Sequence, residues 1–246
     1  MRLTWVQKGS SYLAQTNPAL PSVLQWLWDT QLKDTRLLLI LCGSTISLMK
    51  SQVLTYRAPL YGRRSGQCLL EPLDFDAAIR FFRSYRIDDL IRTYAILGGM
   101  PAYLLQFDER KTVLANIRDA ILTPHHFLND EPRSLLREEL RDPANYFSIL
   151  AAIAAGKTRQ HEIAQAAALP SHDTASPYLR TMQALHLVER QVPTTEPHPH
   201  KSRKGIYRMS DHFMRFWFRF VYPHESALAR GDLAGVLERR ITPYLN

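Results

Sequence analysis

At 246 residues, with 46% apolar and 10% aromatic side chains, the chain is long enough for two or three modules with buried cores and is no disordered tail. Its net charge of +8 suits an anionic partner, but the cations are spread along the chain, so composition alone favours a generic basic surface. The N-terminus lacks the apolar run of a signal peptide, residues 37–42 are too short to span a bilayer, and two cysteines exclude a disulfide framework. These features predict a soluble, cytoplasmic protein with no membrane partner, in which Cys42 and Cys68 are buried thiols in apolar surroundings.

In chain order, Asn17 before Pro18 signals a helix start. Leu20, Val23, Leu24, Leu27 and Trp28 then recur at helical spacing, a stripe that buries one face. Residues 36–42, RLLLILC, form a continuous apolar run bounded by polar residues, the pattern of a central parallel strand covered on both faces. Gly43 and Ser44 follow at its carboxyl end, where ligands of open α/β sheets collect. The competing reading is an ordinary turn in which Ser44 caps a helix over 46–54. A turn- and arginine-rich stretch over 56–66 precedes a short strand around 67–70. Asp74 then caps a helix carrying Phe75, Ile79 and Phe82 on one face.

From Ile87 to about Leu140 the pattern is helical, with a sharp break at Gly98-Gly99-Met100-Pro101. A third region begins at Asp142-Pro143. Its first helix carries Tyr146, Ile149, Leu150 and Ile153 and ends at Gly156-Lys157. Thr158 caps a second helix with Ile163, Ala164 and Ala167, and Leu169-Pro170 turns into a third with Leu179, Met182 and Leu185. Strand candidates over 187–192 and 205–209 are joined by a loop rich in Pro, His, Lys and Arg. Three helices followed by a hairpin is the order of a winged helix-turn-helix. His198, His200, Lys201, Arg203 and Lys204 make its hairpin tip basic, suited to phosphates. His172, Thr174 and Arg180 are the helix side chains in reach of bases, with Pro177 either interrupting that helix or marking its start behind Ser176. The segment FMRFWFRFVYPH, residues 213–224, carries too many aromatic rings for a free surface and requires a partner layer.

Three constellations imitate chemistry. Gly156-Lys157-Thr158 reads GKT, but Ala151 stands where a phosphate-binding loop needs its first glycine, and a helix precedes it rather than a strand. It is expected to be an inter-helix turn. Ser171-His172-Asp173 has the residue types of a catalytic triad without its convergence from separate elements, so Ser171 is expected to be a helix cap. His198 with His200, and His125 with His126, lack the further ligands of a metal site.

The stretches LILCGSTISLM, APLYGRRSGQCLLEPL, LGGMPAYL and SDHFMRFWFRFVYPH, in this order, closely resemble the archaeal ATPases. These are P-loop proteins of the AAA/STAND type in archaea and bacteria, with a winged helix behind the ATPase core and, in many, a nuclease-like C-terminal module. The resemblance implies an α/β remnant of a P-loop ATPase core over 1–86 followed by mostly α structure: a helical lid over 87–141, a winged helix-turn-helix over 142–209, and the start of a nuclease-like module over 210–246. It implies Gly43 and Ser44 as the nucleotide sensor. Arg63 and Arg64 would lie near phosphate or an intermolecular face, against the alternative that they pair with Glu71 or Asp74. ATP and Mg²⁺ are implied for the complete family protein.

This sequence departs from the family where the chemistry sits. No G-x-x-x-x-G-K-[ST] occurs in it. Lys8-Gly9-Ser10-Ser11-Tyr12-Leu13 also stands where the family reads Asp-Glu-Phe-Pro-Tyr-Leu, so the metal-binding carboxylates are replaced. A lysine there repels Mg²⁺ and activates no water. The expectation is an ATPase fragment truncated at both ends, without a cofactor or catalytic residue of its own. Duplex DNA is its candidate partner through Arg180, Lys201, Arg203 and Lys204. The alternatives are a stand-alone DNA-binding regulator, and an ATPase half completed in trans by a P-loop chain or an oligomer.

Overall fold

Two strands that run parallel need a crossover between them, and the first part of the chain is built that way. In the computed structural model, which describes residues 3–7, 16–43, 55–56, 58–140, 142–198, 202 and 204–245, the chain divides into two units, 1–70 and 71–246. In the first, β1 (Leu3–Gln7) lies parallel to β2 (Leu37–Leu41), with Trp5 opposite Leu39. Between them runs α1 (Leu20–Leu27), continued by a π-helical turn over Trp28–Leu32. The helix begins at Leu20 because Asn17 closes a turn ahead of it. Its carbonyl accepts from the Leu20 amide at 3.0 Å and its side-chain oxygen from the Ala19 amide at 3.1 Å.

Three expectations for this unit need correction. The α1 stripe is not a buried face: Pro21 alone in the helix is buried, while Val23 is 46% exposed. Nor is β2 covered on both faces, since exposed Leu38 and Ile40 alternate with half-buried neighbours. A continuous apolar run states only that both faces tolerate burial, and the elements described here are too few to cover both. Residues 67–70 form no regular strand, and Leu70 is 88% exposed. Cys42 and Cys68 are both exposed; one follows β2 and the other lies in that irregular stretch.

The second unit is almost wholly helical, and local sequence explains its element ends. Asp74 caps α2 (Phe75–Ala78) by accepting from the Ala77 amide at 2.8 Å, and a 3₁₀ turn over Ile79–Phe81 follows. α3 (Ile87–Leu97) ends on Gly98, whose φ of 63° suits glycine and stops the helix. Pro101 then opens α4 (Pro101–Leu104) at a position where its missing N–H is no loss. α5 (Val113–Asn116) is capped by the Thr112 hydroxyl and continues as a π turn over Ile117–Leu122. α6 (Phe127–Glu139) completes this region.

Next come α7 (Ala144–Ala154), α8 (Gln160–Ala166) and α9 (His172–Ala184), then β3 (Val188–Gln191) antiparallel to β4 (Ile206–Met209), with Val188 opposite Met209. The chain closes with α10 (His212–Phe220), a 3₁₀ turn over Tyr222–His224, α11 (Glu225–Ala229), α12 (Leu233–Val236), a π turn over Leu237–Ile241 and α13 (Thr242–Leu245). The described residues thus make an α-rich α/β protein with two small sheets.

The partner layer that the FMRFWFRF segment requires comes from the chain itself. α10 packs against α3, α6, α7 and β4. It buries Phe213, Met214, Phe216, Trp217, Phe218 and Phe220, leaving Arg215 and Arg219 outward. Burial of each such side chain stabilises the fold by about 1.5–3 kcal/mol, so α10 is the central element of this core. The indole Nε1 of Trp217 donates to the Asn129 carbonyl at 2.7 Å, which satisfies the one polar atom the ring carries inward.

Candidate functional site

The arginine-rich loop after β2 is folded by a succession of turns. The amides of Ala58, Tyr61 and Arg63 donate to the carbonyls of Thr55, Ala58 and Leu60 at 2.9, 3.0 and 3.2 Å. Ala58 and Leu60 point inward and are buried, whereas Tyr56, Tyr61 and Arg64 are exposed. Arg63 holds the loop. Its guanidinium grips Asp29 with two bonds of 2.8 Å and also donates to the carbonyls of Pro59 and Tyr61 at 3.0 and 3.3 Å. The hydrogen bond from Arg63 draws the Asp29 carboxyl below the usual carboxylate range and raises Arg63 in turn.

Arg63 therefore pairs with neither Glu71 nor Asp74, and Asp29 is a participant that sequence reading missed. The two lie 34 residues apart, and nothing local to LWDTQ marks Asp29 as a partner. Arg64 has no such clamp: its guanidinium carbon stands 5.8 Å from the centre of the Tyr61 ring. Gly43 is exposed directly after β2, while Ser44 and the helix expected over 46–54 lie outside the described residues.

The GKT triplet has no free cradle. Gly156, with φ of 97°, ends α7, and its amide donates to Ile153 O at 2.9 Å. The Lys157 amide donates to Ala152 O at 3.1 Å, and the Thr158 amide to the Glu162 carboxylate at 3.2 Å. Phosphate recognition by backbone needs such amides pointing at the ligand, and here all three are occupied. The residues present thus do not fit a nucleotide phosphate at this turn.

Thr158 does not cap α8. Arg159 occupies that position, and the Glu162 carboxylate reaches back to the amides of both Thr158 and Arg159, which lowers its proton affinity. The Thr158 carbonyl accepts from the Tyr207 amide at 2.8 Å, tying β4 to the α7–α8 turn.

Ser171 caps α9 by accepting from the Thr174 amide, with the Thr174 hydroxyl 3.0 Å from its own. His172 and Asp173 contact each other at 3.3 Å on the exposed first turn, an arrangement that activates no serine. Pro177 neither interrupts α9 nor starts it. The helix runs through it from His172, and Ser176, rather than capping, accepts from the Gln160 side chain at 2.8 Å. Proline is tolerated there because it lies close to the helix start and forfeits a single ladder bond.

Asp173, Pro177, Arg180 and Ala184 form the exposed stripe of α9, which places Arg180 outward with one cation and one anion along that face. On the hairpin, exposed Lys204 pairs with Glu196 at 3.1 Å, and Arg190 donates across the loop base to the Ser202 carbonyl. Lys201 and Arg203 lie outside the described residues, as does His200; His198 is exposed. Among the described residues no group of three or more His, Cys, Asp or Glu side chains could hold a metal ion, and no helix is long and apolar enough to cross a membrane.

Residues 8–107 match a family described as an ATPase domain predominantly from Archaea. Over 220 residues the chain is 36% identical to an uncharacterized protein of Methanocaldococcus jannaschii, an alignment that covers 89% of this chain and 49% of that protein. The chain thus spans about half the length of the curated relative it matches. These likenesses support an archaeal-type, ATPase-like character for the part of the chain that contains the β1–α1–β2 crossover and the arginine loop.

Proposed function

We propose that this chain is part of an archaeal-type ATPase of the AAA/STAND kind that does not hydrolyse ATP by itself, with α7–α8–α9 and the β3–β4 hairpin acting as a winged helix on duplex DNA. The observation that carries the first half is the ATPase-domain match over 8–107 in a sequence whose one GK[ST] triplet has every backbone amide occupied. In this reading 87–141 is the lid, 210–246 begins the nuclease-like module, Gly43 and Ser44 are the sensor, Arg180 reaches bases, and Lys201, Arg203 and Lys204 touch phosphate. The outward stripe of α9 and the hairpin behind it support DNA contact.

The test is a pair of titrations of the purified full chain. Phosphate release from ATP with Mg²⁺ should stay at background, and turnover that scales with chain concentration would end the non-hydrolysing reading. A fluorescent duplex should bind with an affinity that falls steeply with salt and weakens in Arg180→Ala with Lys204→Ala. No duplex binding at low salt removes the DNA half and the stand-alone regulator alternative with it. Completion in trans by a P-loop chain is the remaining reading. It draws on the exposed Leu38 and Ile40 of β2, an apolar face that a partner would cover.

A further inference from the structure

From Thr35 to Leu70 the chain contains no Asp or Glu, yet it carries Arg36, Lys50, Arg57, Arg63 and Arg64. These thirty-six residues, with five cations and no carboxylate, are the longest acid-free stretch of the sequence. The loop at its end presents exposed Arg64 together with aromatic surface. Tyr56 is 83% exposed and Tyr61 39% exposed, with ring centres 5.2 Å apart in T-shaped contact. Arg64 stands beside the Tyr61 ring. Tyr56 touches Tyr61 at one edge and leaves most of its ring open to a stacking partner.

The loop is also rigid by construction. Buried Ala58 and Leu60 anchor it, three turn hydrogen bonds set its path, and the Arg63 fork on Asp29 closes it. Arg63 is consumed as a strut, which leaves Arg64 as the arginine available to a ligand. A preorganised loop that shows aromatic faces beside the exposed Arg64 guanidinium, with its one carboxylate neighbour, Asp29, already neutralised by Arg63, is the chemistry that receives bases by stacking and the phosphates between them by charge.

We propose that this loop binds single-stranded nucleic acid, with Tyr56 and Tyr61 stacking on bases, Arg64 on a phosphate and Arg63 as the positioning residue. Exposed rings and a cation side by side match the two things a single strand offers together, open base faces and phosphates. A duplex hides the base faces that the rings need. This inference stands apart from the hairpin reading, because it uses other residues and another form of nucleic acid.

The experiment is fluorescence anisotropy of a labelled thymidine 15-mer titrated with the full chain at low and moderate salt, with a duplex of equal length in parallel. Wild-type chain should bind the single strand in a salt-dependent manner. Tyr56→Ala should weaken it by about 5-fold or more, as expected for loss of one stacked base, while Tyr56→Phe, which keeps the ring, should not. Tyr56 is too exposed for either change to unfold the loop, and circular dichroism verifies this. In the parallel titration Tyr56→Ala should bind the duplex as wild type does, so failure of the hairpin reading is read separately. Equal binding of the single strand by wild type and Tyr56→Ala, no single-strand binding at low salt, or full competition by mononucleotide at matched nucleotide concentration would each overturn the proposal.

Discussion

Gly99→Ala should be among the most damaging single-methyl additions in this protein. A Cβ built on Gly99 would lie 1.7 Å from the Leu73 carbonyl oxygen and 2.6 Å from its carbon and nitrogen. These are backbone atoms, and they cannot swing aside. The Leu73 amide is moreover bonded to the Gly99 carbonyl at 2.9 Å, so the two segments must separate and lose that bond. Forced overpacking costs about 1–3 kcal/mol, and a lost internal hydrogen bond about 0.5–1.5 kcal/mol. Together these amount to roughly 1.5–4.5 kcal/mol of stability.

Gly156→Ala isolates the other way a glycine matters. Its φ is 97° but no atom lies within 4 Å of the added Cβ, so only backbone strain applies, on the order of 1 kcal/mol. Urea denaturation followed by circular dichroism at 222 nm reports mainly on the helical unit. The expected order of midpoints is wild type, Gly156→Ala, then Gly99→Ala well below both. If Gly99→Ala unfolds no earlier than Gly156→Ala, the close approach of the LGGMP turn to Leu73 is wrong.

Three further expectations are checked on the same protein. Trp217→Phe keeps most of the buried ring but removes the donor to Asn129 O; it should lower stability by about 0.5–1.5 kcal/mol, and an unchanged urea midpoint would show that the bond contributes nothing. Ser171→Ala should lower stability by about 1 kcal/mol through loss of the α9 cap, with DNA binding and background phosphate release unaffected. Because Arg63 holds the Asp29 carboxyl below its ordinary value of 3.8, that pair's contribution is complete above the unfolded carboxylate range and is lost as pH falls through the lowered native value. Hydrogen exchange in residues 58–66 should therefore speed up when pH drops below about 4, after correction for the intrinsic rate. Asp29→Asn should show the same loosening already at pH 6, and identical protection in that variant would remove Asp29 from the loop.

Much of the architecture was legible in sequence because it is set within one helical turn. Asp74 and Ser171 cap helices with their own side chains, the Gly98–Pro101 break stops one helix and starts the next, and the order of three helices and a hairpin follows from apolar spacing. Each of these depends on neighbours three or four residues away, which the sequence displays directly.

Tertiary structure alone decided what lies across longer separations. Apolar patterning could state that residues 213–220 must be buried, but not that α3, α6, α7 and β4 supply the layer that buries them. It read Cys42, Cys68 and the α1 stripe as interior, since hydrophobicity states a tolerance for burial and not the presence of a covering element. The family resemblance implied loop arginines near phosphate or an intermolecular face, with nearby acids as the alternative, whereas Arg63 is held by Asp29, 34 residues away. A charged side chain satisfies itself with whatever opposite charge the fold brings within hydrogen-bonding reach. That choice is made by packing, so the difference between Arg63 as a strut and Arg64 as a free hand became visible only in three dimensions.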